Sequence, residues 1–136
     1  MDIHSYLTFN GNCREAMTFY QDCLGGELTF QTLGESPLAS RMPAQMKACI
    51  VQASLTRNGF VLMGSDLVDE QGLVKGNAVS MMLHCSTGEE TRACYGKLSR
   101  GGTPSRSLAP TCWGDLFGDL TDQYGNHWLL HGPGQD

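Results

Sequence analysis

Alternating apolar and polar positions mark short strands along the chain, and two stretches with helical spacing interrupt them. In residues 3–9 the side chains of Ile3, Leu7 and Phe9 share one face, and polar side chains occupy the other. This period of two predicts a strand, because successive side chains of a strand point to opposite faces. The chain therefore opens with a predicted strand that has one apolar and one polar side.

A helix is predicted after this strand. Asn12 and Glu15 have the spacing of a capping box, in which two side chains satisfy the free amides of the first turn. Gly25-Gly26 ends the helix, because glycine adopts the left-handed conformation that a helix end often requires. A tight hairpin is predicted at Asn58-Gly59. The predicted strands that follow the helix cover residues 27–33, 48–56 and 60–65.

The second half of the chain repeats this order of elements. After a predicted strand over residues 78–85, Thr87 and Glu90 form a second capping-box pattern. Gly101-Gly102 ends the second helix, 76 residues after the first glycine pair. A further strand, interrupted by Pro110, is predicted from Thr103 onward, and others are predicted over 115–121 and 126–131.

Two helices among about eight short strands predict an α+β fold. We expect one domain of two βαβββ modules, whose curved mixed sheets surround a cup and whose helices lie outside. The first module is predicted over residues 1–66, a linker over 67–77 and the second module over 78–136.

Composition and charge argue against several classes of protein. The net charge is −5 and no cluster of lysine and arginine occurs, which argues against a nucleic-acid partner. No run of about 18 apolar residues predicts a membrane span, and the start of the chain lacks the pattern of a signal peptide. The six cysteines form no Cys-x-x-Cys pair, which favours reduced thiols in a cytoplasmic protein.

Several segments carry a more specific pattern. They are Tyr6–Cys13, Phe19-Tyr20, Leu24–Gly26, Leu62–Asp66, Trp113–Gly118 and Leu120–Gly125, together with Ala16 and Trp128. These segments resemble the vicinal-oxygen-chelate superfamily, which has the glyoxalase/bleomycin-resistance fold, and within it the PhnB-like group. The resemblance implies a homodimer that binds a small molecule in the cup.

The resemblance also implies where a divalent metal would bind, since ligands come from the first and last strands of each module. His4 falls on the first-strand position, and the repeat offset gives Ser80 as its counterpart. The last-strand positions fall on Leu129 and on Leu62 or Met63. One nitrogen with these residues offers too few donors for zinc, nickel or iron. The sequence therefore predicts no metal site and no other cofactor.

Candidate ligand-binding residues are those expected on the cup side of the strands. His4 and Tyr6 are candidate acid–base groups, and Trp113 and Phe117 offer an aromatic wall. Gln52 occupies a third-strand position where relatives often have histidine. The complete candidate set is His4, Tyr6, Gln52, Met63, Ser80, Trp113, Phe117, Leu129 and His131.

Other polar residues have simpler explanations. His127 is interpreted as a surface histidine, whereas His84 is equally well explained as a wall of the cup or as a hydrogen-bonded structural residue. Asp115 and Asp119 alternate onto one face, which we interpret as a solvated surface. Asp66 is interpreted as a turn cap.

The sequence predicts a soluble, metal-independent, small-molecule-binding protein of the PhnB-like group. The alternative is a metal-dependent lyase, isomerase or dioxygenase with an unconventional site that includes His4. A third possibility is a catalyst that uses His4 and Tyr6 as acid–base groups without a metal. Whether the protein is an enzyme stays open at this point.

Overall fold

The chain forms two units, Met1–Val74 and a second that begins at Lys75, and a computed structural model describes residues 1–134. Both units run strand, helix, strand, strand, strand, which confirms the predicted α+β fold of repeated βαβββ modules. Among residues 1–134, no helix has the length and apolar character needed to cross a lipid bilayer.

The first unit has one four-stranded mixed sheet in the order β1-β4-β3-β2, with β1 parallel to β4 and the other pairs antiparallel. The segment between β2 and β3, expected to be irregular, contains two 3₁₀ turns and the short helix α2. The elements are β1 (Ser5–Thr8), α1 (Cys13–Leu24), β2 (Glu27–Thr32), α2 (Ala44–Lys47), β3 (Ile50–Arg57) and β4 (Phe60–Ser65).

The second unit repeats the same topology, with strand order β5-β8-β7-β6 and a parallel pair between β5 and β8. β5 is shorter than predicted and begins only at Met81, so Ser80 lies just before it. The elements are β5 (Met81–His84), α3 (Gly88–Leu98), β6 (Thr103–Pro110), β7 (Leu116–Thr121) and β8 (His127–Gly132).

The glycine pair after each helix has a steric reason that is the same in both units. The first glycine of each pair has a positive φ, +76° at Gly25 and +73° at Gly101. Gly25 caps α1, whereas α3 ends earlier than predicted, with Ser99 as its cap, and Gly101 lies in the turn that follows. A Cβ at Gly26 would lie 2.7 Å from a carbonyl oxygen of β3, and one at Gly102 would come closer still to a carbonyl oxygen of β7. Only glycine permits this approach of two backbones.

The two helices begin in different ways. Asn12 makes no capping hydrogen bond through its side chain, so the predicted first capping box is wrong. Asp66 caps α1 instead, because one of its carboxylate oxygens accepts a hydrogen bond from the Cys13 amide at 2.9 Å. Its other carboxylate oxygen accepts from the Ile50 amide at 3.2 Å. Asp66 therefore joins the helix to the sheet, which is more than the turn cap we expected.

The second helix has the predicted capping box. The Glu90 amide donates to the Thr87 hydroxyl at 3.0 Å, and the Glu90 carboxylate accepts from the Ser86 amide at 2.9 Å. These bonds satisfy amides that have no partner inside the helix.

All six cysteines are free thiols. Burial and the nearby Asp66 carboxylate raise the pKa of Cys13 to about 12. A hydrogen bond with Cys94, together with burial, raises the pKa of Cys85 far above its ordinary value. Because the thiolate is the nucleophile, neither group is an active thiol at neutral pH.

Candidate ligand-binding face

Each sheet covers its helix with one face and leaves the other face open. On β8, Trp128 and Leu130 are buried on the side that contacts α3. His127, Leu129 and His131 alternate with them and are half-buried on the opposite side. This alternation agrees with the faces predicted for these residues.

The neighbouring strands extend the open face of the second unit. His84 of β5 pairs with His131, and Met82 pairs with Leu129. On the other side of β8, Phe117 of β7 pairs with His131. We call this surface the histidine face, and its members are Ser80, Met82, His84, Asp115, Phe117, Asp119, His127, Leu129 and His131.

A chain of hydrogen bonds crosses one end of the histidine face. His127 Nε2 lies 3.2 Å from Asp119 Oδ2, and His127 Nδ1 lies 2.5 Å from Ser80 Oγ. An ionised carboxylate only accepts hydrogen bonds, so Nε2 carries the proton in the neutral ring. Nδ1 is then an acceptor, and Ser80 donates to it. We call this chain the Ser80 relay.

The backbone of β6 holds the carboxylate of the Ser80 relay in place. The Arg106 amide donates to Asp119 Oδ1 at 2.8 Å. The β6–β7 register shifts on both sides of Arg106, which turns this amide out of the regular ladder and towards the carboxylate. Tyr95 of α3 donates to the Arg106 carbonyl at 2.8 Å and fixes the same residue from the helix side.

A second chain of hydrogen bonds crosses the other end of the face. The Nδ1 atoms of His84 and His131 are 3.1 Å apart, and their rings meet edge to face with centroids 5.0 Å apart. Asp115 accepts from His131 Nε2 through one oxygen and from the Thr111 hydroxyl through the other. His131 Nδ1 is therefore an acceptor in the neutral ring, and His84 donates to it.

The carboxylate of this second chain has a perturbed pKa. The hydrogen bond from Thr111 is the largest cause, and the hydrogen bond from His131 adds to it, so the pKa of Asp115 lies below its ordinary value of 3.8. Both donors favour the charged form of the carboxyl group. Asp115 is thus an anion that orients His131 throughout the neutral range.

An apolar strip separates the two chains of hydrogen bonds. Met82 and Leu129 are paired neighbours and lie between the row of Ser80 and His127 and the row that holds His131. Met82 is 46% exposed, and Leu129 is half-buried. A molecule on this surface would meet apolar contact in the middle and hydrogen-bonding groups at both ends.

Four of the predicted site residues occur together on the histidine face. These are Ser80, Phe117, Leu129 and His131. Trp113, expected to form an aromatic wall with Phe117, lies instead in the turn before β7 and is 87% exposed. Its amide donates to the Thr111 hydroxyl at 3.2 Å, which is an ordinary turn contact.

The other predicted residues belong to the first unit. Tyr6 of β1 pairs with Met63 of β4, and Tyr6 is 51% exposed. Gln52 is exposed on β3 and alternates with the buried Ala53. His4 is exposed and precedes β1 rather than lying within it.

Three interpretations of polar residues were wrong. Asp119 is buried, with only 7% of its surface exposed, and Asp115 is hydrogen-bonded, so neither belongs to a simple solvated surface. His127 is the centre of a relay rather than a plain surface histidine. His84 lies on the open face and is hydrogen-bonded to His131, as one of its two explanations predicted. The signal was present in the alternating Asp-x-Phe-x-Asp and His-x-Leu-x-His patterns of two consecutive antiparallel strands.

The residues at the superfamily's metal positions do not fit a metal. Ser80 replaces a nitrogen donor and already donates its hydroxyl proton to His127. Leu129 offers no donor atom at all. Within residues 1–134, no group of three or more histidine, cysteine or acidic side chains has the arrangement of a metal site.

Comparison with known proteins identifies the family. The family model described as 3-demethylubiquinone-9 3-methyltransferase, which represents PhnB-like proteins, matches residues 1–131. The chain belongs to this PhnB-like family. Among solved structures, the chain is similar to protein PA1353 from Pseudomonas aeruginosa, which is 36% identical with a TM-score of 0.84 over 100% of this chain and 99% of that chain.

The chain is similar to two further proteins over nearly its whole length. A PhnB protein from Bacillus cereus is 27% identical, with a TM-score of 0.76 over 97% of this chain and 99% of that chain. Protein YjdN from Escherichia coli is 27% identical over 96% of this chain and 95% of its own length. A glyoxalase/bleomycin resistance protein from Albidiferax ferrireducens, 13% identical with a TM-score of 0.65 over 95% of each chain, shares the fold.

Proposed function

We propose that this PhnB-like protein binds a small organic molecule on the histidine face without a metal. The observation that carries the proposal is the arrangement of two histidine–carboxylate pairs on either side of the strip formed by Met82 and Leu129. Ligand sites are typically apolar surfaces with a few fixed polar groups. The preferred ligand has a short apolar or aromatic centre and hydrogen-bonding groups at both ends.

The polar groups of the face are fixed before a ligand arrives. Asp119 is held by the Arg106 amide, and Asp115 by Thr111, so each carboxylate sets the orientation and the protonated nitrogen of its histidine. Preorganised groups bind more tightly because little side-chain freedom is lost on binding. Ser80 and His84 are the exposed ends of the two chains and are the proposed polar contacts.

The proposal includes the first unit and the wider arrangement of the protein. Tyr6, Gln52 and Met63 share the open face of the first sheet and are proposed as further ligand contacts, with His4 before β1. Trp113, in the turn before β7 of the second unit, is proposed as a further contact. We also propose a homodimer in the cytoplasm, where the free cysteines would stay reduced. Residues 1–66 and 78–136 would act as the two modules, joined by 67–77.

The methyltransferase description of the family finds no support in the loops before the helices. Loops that hold a nucleoside cofactor at a helix start are glycine-rich, because backbone amides must approach phosphate closely. The connection from β1 to α1 has a single glycine, Gly11. The connection from β5 to α3, Cys85-Ser86-Thr87, has none. We therefore propose binding rather than methyl transfer.

A thermal-shift screen against a metabolite library tests the proposal, because a ligand that binds the folded state raises the unfolding temperature. Hits should stabilise the wild type and the control Glu89→Ala, which changes an exposed position of α3. The same hits should lose most of their effect in His127→Ala and His131→Ala. Hits that are indifferent to both histidine variants, a library without hits, or about one transition metal per purified chain would contradict the proposal.

A further inference from the structure

The Ser80 relay has the order of groups that activates a serine hydroxyl. Ser80 Oγ lies 2.5 Å from His127 Nδ1, and His127 Nε2 lies 3.2 Å from Asp119 Oδ2. A base for a hydroxyl must lie within hydrogen-bonding reach of the proton it removes. It must also present a lone pair at that nitrogen, and the carboxylate on the opposite side of the ring ensures this.

Exposure changes along the relay in the direction that a nucleophile requires. Ser80 is exposed just before β5, the His127 side chain is 31% exposed and the Asp119 side chain is 10% exposed. The reacting oxygen is thus open to an incoming molecule, whereas the orienting carboxylate is shielded from water. Shielding strengthens its attraction for the imidazolium that forms when His127 takes a proton.

The second chain of hydrogen bonds provides an internal contrast. Its hydroxyl belongs to Thr111, which donates to the carboxylate of Asp115 rather than to an imidazole. Its exposed end is the His84 ring. Of these two hydroxyls, the one in the Ser80 relay is therefore the one that is hydrogen-bonded to an imidazole nitrogen.

We propose that Ser80 is a nucleophile, with His127 as its general base and Asp119 as the positioning residue, and that the relay cleaves small esters or thioesters. This rests on the proposed ligand face, because Met82 and Leu129 would hold the apolar part of the acyl group beside Ser80. The activation of Ser80 itself depends only on the relay and is tested without a natural ligand.

The reaction balances within the groups of the relay and one water. Ser80 Oγ forms a bond to the carbonyl carbon, and its proton passes to His127 Nδ1. The bond from that carbon to the leaving oxygen or sulfur then breaks, and the leaving group takes the proton from His127. Water, deprotonated by His127, attacks the acyl-serine, releases the carboxylic acid and returns the proton to Ser80.

Labelling of the full-length protein with diisopropyl fluorophosphate tests this inference. The serine oxygen forms a bond to phosphorus, fluoride leaves, and the proton passes to His127. Intact-protein and peptide mass spectrometry should find one adduct, located on Ser80. Ser86→Ala, which changes another exposed serine of the same unit, should label like the wild type, and Ser80→Ala should not label.

Two further variants separate activation from mere exposure. His127→Gln should slow labelling of Ser80 by at least about 100-fold, the usual size of a general-base contribution. In Asp119→Asn the amide oxygen still accepts from Arg106, so its NH₂ group faces His127 Nε2 and forces the proton onto Nδ1. Labelling should slow, and the imidazole ¹⁵N shifts of His127 should report the exchanged tautomer.

Several outcomes would overturn the inference. They are the absence of an adduct on Ser80, equal labelling of Ser86 and Ser80, and an unchanged rate in His127→Gln with native circular dichroism. Labelling of Ser80 with no metabolite hit would refute the proposed ligand and leave the relay supported. Metabolite hits without labelling of Ser80 would refute the nucleophile and leave the binding proposal supported.

Discussion

The first and second units share one strand order, but the open faces of their sheets differ in chemistry. In the first unit Tyr6, Gln52, Ser54 and Met63 line this face with uncharged side chains, and Glu27 lies on the same face at the edge strand β2. In the second unit the corresponding side carries imidazoles paired with carboxylates. The helix-facing sides stay apolar in both, because each must bury a helix. The comparison shows that packing preserves one side of the repeat while the other side is free to change.

The close approach after each helix should be the costliest feature to remove. Gly26→Ala should lower the free energy of unfolding by roughly 3 kcal/mol, from steric overlap and positive φ together. Gly102→Ala should cost roughly 2–3 kcal/mol from overlap alone. Urea denaturation of the full chain measures both changes.

The control for these variants is Gly96→Ala, in the last turn of α3, where a Cβ meets nothing within 4 Å. It should stabilise the protein by about 0.5–1 kcal/mol. If Gly26→Ala and Gly102→Ala behaved like this control, the steric explanation of the repeated glycine pair would be wrong.

The two helix starts should differ in the size of their contributions. Asp66→Ala removes the acceptor of two backbone amides and should cost roughly 2–3 kcal/mol. Thr87→Ala removes a single side-chain cap and should cost about 1 kcal/mol. The same denaturation experiment compares them, with Asn12→Ala as a control that should change little. A larger loss in Asn12→Ala than in Asp66→Ala would contradict the assigned cap.

The smallest effect concerns the pKa of Asp115. Thr111→Val removes the main cause of its lowered pKa, which should rise towards 3.8. A lowered folded-state pKa stabilises the protein above the unfolded value, and that contribution is lost as the pH falls through the folded value. The contribution should therefore be smaller in Thr111→Val, and its loss on acidification should be complete at a higher pH. Carboxyl ¹³C titration by NMR measures the shift, and Thr103→Val, at the start of β6, should leave it unchanged.

The repeated fold could be predicted because it depends on local signals. Alternation defined the strands, and the offset between the glycine pairs revealed the two modules. The cap by Asp66 could not be predicted in the same way, because Cys13 and Asp66 are distant in sequence and meet only when the sheet forms. Asn12 had the better local pattern, yet the tertiary contact replaced it.

The candidate site was predicted in part for the same reason. Alternation placed His127, Leu129 and His131 on one face, and that prediction was correct. The pairing of Asp119 with His127 depends on the β7–β8 register and on the irregular β6 backbone at Arg106. Neither can be deduced from single-strand periodicity, so the carboxylates were interpreted as solvated.

The parallel pairing within each unit has a consequence for synthesis on the ribosome. Ser5 pairs with Leu62, and Met81 pairs with Trp128. The first strand of each unit therefore cannot pair until the last strand of that unit has been synthesised. Before that point, the helix that follows the first strand can pack against only part of its sheet. Closure of this long loop should limit the folding rate of each unit, since distant contacts form slowly. The first unit is complete once β4 has emerged, well before the strands that carry the histidines are made.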